Sequence, residues 1–146
     1  MLIHIHLIAA IAWIGGSIFM FVLGITLKDK DIQKQVYPNI GPIFGYFEMA
    51  ALVFLVATGI FIINDNGLID ILFTSNDSQV INLVREKLYI VVALVVLSLI
   101  HFYIALKTNT SQRTFIQNLI SRGSSMLIFF LNLLVLHYAI MIRDIL

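Results

Sequence analysis

The chain reads as an all-α integral membrane protein: a bundle of four transmembrane helices with both termini on the outer side. Three observations point there. Four stretches each supply about the ~20 apolar residues that carry a helix across a bilayer. Of 146 residues, 60% are hydrophobic and only 12% are charged, with a mean hydropathy of +1.01; a soluble domain has about 25% charged residues and cannot hide this much apolar surface. Turn residues or charge clusters bound the apolar stretches. A single membrane domain, 1–146, uses the whole length.

The first helix is expected over about 3–27. The segment Met1-Leu2-Ile3-His4-Ile5-His6 has no basic flank, and the apolar run continues to Leu27. That run exceeds a signal-peptide core, so it reads as a retained helix. A polar loop is expected from Lys28 to about Pro42, with Gly41-Pro42 closing it. The second helix is expected over about 43–63, stopped by Asn64-Asp65-Asn66-Gly67. Residues 68–81 form a semi-apolar connection with the character of a short interfacial helix. The third helix is expected over about 86–106 and the fourth over about 115–142.

Orientation rests on Lys and Arg in short loops. Lys28, Lys30, Lys34, Lys107, Arg113 and Arg122 fall on one side, against Arg85, Lys87 and Arg143 on the other. The richer side is read as inner, which suits a bacterial-type inner (cytoplasmic) membrane. There is no basic tract of the density that nucleic acid requires. With no cysteine, disulfides, thiolate metal sites, iron–sulfur clusters and covalently attached c-type haem are excluded.

Three of four histidines fall inside the apolar stretches, where an ionisable side chain marks a functional site by default. Helical spacing puts Ala9, Ala10, Trp13, Ser17 and Gly24 on the His6 face, small residues plus one indole. Phe130, Leu133, Leu134 and Met141 share the His137 face. By depth, His6 and His137 fall at a common level. One reading makes them the axial pair of a b-type haem, the iron ligated by two neutral imidazoles. Lys87 would then neutralise a propionate, with Arg85 in support and His101 the alternative ligand. The other readings are structural histidines and a different ligand. His4 points about 160° away from His6 on an ideal helix and reads as interfacial. Glu48 and His101 share the other half, as a proton-handling or metal-binding pair or as a hydrogen bond between helices two and three. Met20, Met49 and Met126 would join His101 in a soft copper(I) site, or else fill core gaps. Trp13 is too deep for an interfacial belt, and Gly15-Gly16 permits close helix approach.

The segment His6-Leu7-Ile8-Ala9-Ala10-Ile11-Ala12-Trp13-Ile14-Gly15-Gly16 resembles the first helix of the copper-resistance protein D family. It also resembles the opening of the membrane-bound, haem-containing protoporphyrinogen oxidase family. Thr58-Gly59 closing helix two, Lys87-Leu88 opening helix three and a late His101 extend the resemblance over roughly residues 6–106. It implies a four-helix bundle with b-type haem held by histidine, His6 as first-helix ligand and Lys87 near a tetrapyrrole carboxylate. The chain departs from the oxidase family at Phe19-Met20-Phe21-Val22, which holds no arginine, and is shorter than copper-resistance proteins. The expected function is electron transfer beside a respiratory or quinone-linked system, with a membrane or quinone electron-transfer partner or a second copy. The alternatives are a protoporphyrinogen-oxidase-like enzyme, and a copper-handling protein or cofactor-free scaffold.

Overall fold

The computed structural model describes residues 1–73, 78–107 and 115–145. Residues 74–77 of the 68–81 connection, with Asp77, and residues 108–114 of the last loop, with Arg113, lie outside the described residues. Five helices follow in order: α1 (Leu2–Thr26), α2 (Lys30–Asp65), α3 (Leu68–Phe73), α4 (Gln79–Lys107) and α5 (Phe115–Ile145). Four of them, all but α3, are long and apolar enough to cross a membrane. No strand occurs among the described residues.

Three boundaries are set differently from the hydropathy pattern. The polar loop expected over 28–42 is only a short link, because α2 begins at Lys30. Asp29 caps it, its side chain accepting from the Asp31 amide at 2.9 Å, the ordinary device for a helix N-terminus. The helix then runs through Pro38 and Pro42. Proline removes one backbone donor, but the flanking Gln33, Lys34 and Gln35 are good helix formers. Asn39 adds a side-chain donor to the Gln35 carbonyl at 2.7 Å. At 36 residues, α2 is about 54 Å long, well beyond the roughly 30 Å of a bilayer's hydrocarbon. Likewise α4 starts at Gln79, a polar turn or two before its apolar run, and α5 continues to Ile145. Gly67, at φ +65°, makes the turn from α2 into α3, a conformation in which glycine meets no Cβ penalty.

The spanning helices form two antiparallel hairpins. In the first, Gly59 lies against His6, Gly16 against Glu48, and Phe19 stacks on Phe44 at 5.3 Å. In the second, Tyr138 donates to Glu86 at 2.7 Å and His101 meets Ser124 at 3.1 Å. The hairpins meet through α1 on α5 and α2 on α4, which leaves α1 diagonal to α4 and α2 diagonal to α5. Trp13, Ala51, Leu52, Leu94 and Ile128 form the core, so every spanning helix contributes.

What faces inward is largely polar or small. Thr58, Ser98, Ser121, Ser124 and Asn132 are buried, while many Ile, Leu, Val and Phe side chains lie outside. This inversion is what a lipid solvent selects: hydrocarbon welcomes aliphatic side chains, and polar groups need partners inside. It is clearest in α5, where Ser121, Ser124, Ile128 and Asn132 point in and Phe130, Leu133 and Leu134 point out.

Close approach depends on Gly45, where an added Cβ would stand 3.1 Å from the Phe102 ring. Gly45→Leu should therefore push α2 off α4 and cost about 1–3 kcal/mol. The loss should register as earlier unfolding in a dodecyl-sulfate titration. Gly15, with open space around it, should accept alanine without such a loss.

Candidate functional site

At the end of the bundle that carries both termini, α1 presents His6 to the last turns of α2. The ring Nδ1 lies 2.9 Å from Thr58 Oγ1. The direction of that bond follows from the threonine's other partners. Thr58 Oγ1 stands 2.6 Å from the Phe54 carbonyl and 3.2 Å from that of Leu55, and a carbonyl can only accept. The single hydroxyl proton is therefore committed to the backbone, and Oγ1 receives from His6. Nδ1 carries the hydrogen. In the neutral ring Nε2 then holds the lone pair, so the hydrogen bond at one nitrogen fixes the role of the other.

Gly59 makes room for this arrangement. A Cβ there would lie 3.3 Å from His6 Cε1, so the Thr58-Gly59 pair supplies both the acceptor and the space for the ring. Lys87, on the diagonal helix α4, is half-buried and close enough to act electrostatically on His6. It has no acidic partner among the described residues. Its neighbour Glu86 is taken by Tyr138. Arg85 is directed elsewhere: its Nε donates to the Leu72 carbonyl at 2.9 Å, tying α3 to α4.

His101 repeats the device in the other half of the bundle. Its Nδ1 meets Ser124 Oγ at 3.1 Å, and Ser124 donates to the Ser121 carbonyl at 3.0 Å. The serine is committed as the threonine is, so His101 also holds its hydrogen on Nδ1. The expected hydrogen bond between His101 and Glu48 is not formed. His101 binds across to α5, and Glu48 Oε1 is buried without a partner. The reason is rotational: Ser124 lies on the inward stripe of α5 at the level of His101, whereas Glu48 turns toward the notch at Gly16.

The structure does not bring His6 and His137 together. His6 is turned onto α2, whereas His137 is exposed on α5 with the adjacent Tyr138 as its ring contact. Asn132 determines this rotation. It is 3% exposed and accepts from Trp13 Nε1 at 2.8 Å, so the α5 face that meets α1 carries Asn132 and His137 lies on another. His4 is exposed. Of the methionines, Met20 and Met49 are half-buried and Met126 is exposed. No group of three His, Cys, Asp or Glu among the described residues is placed to hold a metal ion.

Asn132 and the two hydroxyls that meet the histidines are the interior polar residues that histidine-centred reading misses. An amide within Leu131-Asn132-Leu133-Leu134 was a signal in itself, because a polar side chain at mid-span needs an interior partner. Ser124 carries a weaker signal, since serine also serves simply as a small packing residue.

The tautomer is directly testable. Nitrogen-15 spectra of imidazole-labelled protein should show His6 with a protonated Nδ1 and a bare Nε2. Thr58→Val, which removes the acceptor and keeps the shape, should mix the two tautomers. No protein-family model, curated protein or solved structure matches this chain, so its chemistry is read from these residues.

Proposed function

We propose that this chain is an integral membrane protein that binds haem b and passes electrons, with His6 as the iron ligand. The observation that carries the reading is the Thr58-anchored ring of His6, which holds the hydrogen on Nδ1 and reserves Nε2 for ligation. Histidines that bind metals are typically held in this way, with the second nitrogen donating to a fixed acceptor. Lys87 supports the reading as a half-buried cation with no acidic partner among the described residues, near enough to act electrostatically on that ring. A cation so placed calls for an anionic group, and a propionate supplies one. The resemblance to haem-containing membrane proteins pairs the same two residues, which are 81 positions apart (87 − 6).

The chain's own residues would divide the work. His6 would ligate, Thr58 would hold the ring's rotation and tautomer, Gly59 would leave it room, and Lys87 would bind a carboxylate. Haem, when bound, supplies a one-electron couple whose potential follows axial ligation and burial. With His137 exposed on α5, a bis-histidine iron would draw its second ligand from a neighbouring copy. The same His6 and Lys87 would serve a protoporphyrinogen-oxidase-like enzyme, whose tetrapyrrole substrate also carries carboxylates.

A dithionite-reduced minus oxidised spectrum with a pyridine haemochrome assay tests this. Protein purified from haem-supplied cells should show about one b-type haem per chain, and His6→Ala should abolish it. Thr58→Val should weaken haem retention about 10–100-fold, the usual effect of losing a partner behind a ligating histidine. A low-spin spectrum lost in His137→Ala would place that residue on the iron. Its survival would leave His6 as the only one of the two that ligates. A colourless wild-type protein overturns the proposal.

A further inference from the structure

A second polar site lies nearer the opposite end of the bundle, and it stands independently of haem. Glu48 is the one Asp, Glu, Lys or Arg within 7–27, 35–64, 88–106 and 123–142. Its Oε1 is buried and has no hydrogen-bond partner. Gly16 makes this position possible, because a Cβ there would lie 2.8 Å from Oε1. A side chain at 16 would oblige the carboxyl to shift.

A complementary buried group is Asn132 on α5. The Trp13 indole is a donor only, so Asn132 must turn its Oδ1 toward it. That leaves Asn132 Nδ2, on a side chain 3% exposed, buried and without a partner. Each orphan is set against α1, Asn132 at Trp13 and Glu48 at Gly16, positions three residues and about 4.5 Å of helix rise apart. One is an acceptor and the other a donor. Buried groups of this kind are normally satisfied, and bound water is the usual bridge where two or more polar groups converge.

The surroundings bear on the charge state. Of the elements packed on α2, α1 offers no titratable group between His6 and Lys28, and α4 offers only His101 between Tyr89 and Tyr103. His101 is held by Ser124 on α5. On α2 itself Tyr46, exposed and edge-on to Phe102, is the nearest titratable neighbour; α3 sits at the other end of α2, with Asp70. Among the described residues no Lys or Arg is paired with the carboxyl, and an unpaired carboxylate in such surroundings is far more costly than the neutral acid.

We infer that Glu48, the notch at Gly16 and the Asn132 amide form an internal proton-carrying site, in which Glu48 holds its proton as a neutral acid and exchanges it through bound water. The proton leaves the carboxyl for that water and is replaced from it, so no other reactant is consumed. This adds a proton-binding function to the bundle interior, apart from His6.

Infrared spectroscopy of the full chain in lipid tests it. At neutral pH the wild type should show a protonated-carboxyl C=O band that moves on transfer to deuterium oxide, and Glu48→Gln should lose it. Asn132→Leu should keep the band and slow its deuterium shift about tenfold, as for the loss of one ordinary hydrogen bond. On the wild type alone, dicyclohexylcarbodiimide, which attacks neutral carboxyls in apolar surroundings, should label Glu48 on peptide mapping. This readout does not depend on the variants folding. A carboxylate signature at Glu48, no carbodiimide label there, or deuterium exchange unchanged in Asn132→Leu would overturn the proposal.

Discussion

Trp13 has one polar atom and only the interior in which to satisfy it, and its bond to Asn132 is the contact on which the bundle's interior depends. In hydrocarbon no water replaces a lost partner, so the indole N–H must find an acceptor on another helix. Asn132 supplies it from α5, which joins the first hairpin to the second at the level of the apolar core. That bond sets the rotation of α5. Ser121, Ser124 and Ile128 follow Asn132 to the inside, and Phe130, Leu133, Leu134 and His137 go outside. Interhelical hydrogen bonds in membranes are individually modest, about 1–2 kcal/mol at most. Their larger effect is to select one rotation among several that would bury similar apolar area.

The same economy of polar partners governs both interior histidines. Each gives its Nδ1 hydrogen to a hydroxyl whose own hydrogen is already held by a backbone carbonyl. A hydroxyl in a helix bonds its own i−3 or i−4 carbonyl readily, and once it has done so it can only accept. Thr58 and Ser124 therefore set a tautomer as well as a contact. His6 and His101 lie in opposite halves of the bundle, on different hairpins, with the apolar layer of Trp13, Leu52, Leu94 and Ile128 between their levels.

Interior glycines complete the pattern. Gly16 accommodates a carboxyl, Gly45 an aromatic ring and Gly59 an imidazole. In each case the missing side chain is replaced by a group from a neighbouring helix. Gly15, beside Gly16, has open space around it. Two adjacent glycines thus have different physical roles, and only the partner across the interface distinguishes them.

The number of spans, the apolar runs and the inward face of α1 were legible in the sequence alone, because hydropathy and the 3.6-residue period depend only on local order. Trp13 was readable as buried. The start of α2 was not, because the cap at Asp29 and the passage through Pro38 and Pro42 compete with turn signals that look stronger in one dimension. Nor was the rotation of α5, since an apolar helix in lipid has no polar outer face from which to read its inner one. Which histidine meets which hydroxyl, and that Glu48 and Asn132 are left as complementary orphans, was decided by tertiary structure. Hydrogen bonds between residues 52 or 119 positions apart depend on the register and rotation of whole helices, and no local pattern encodes either.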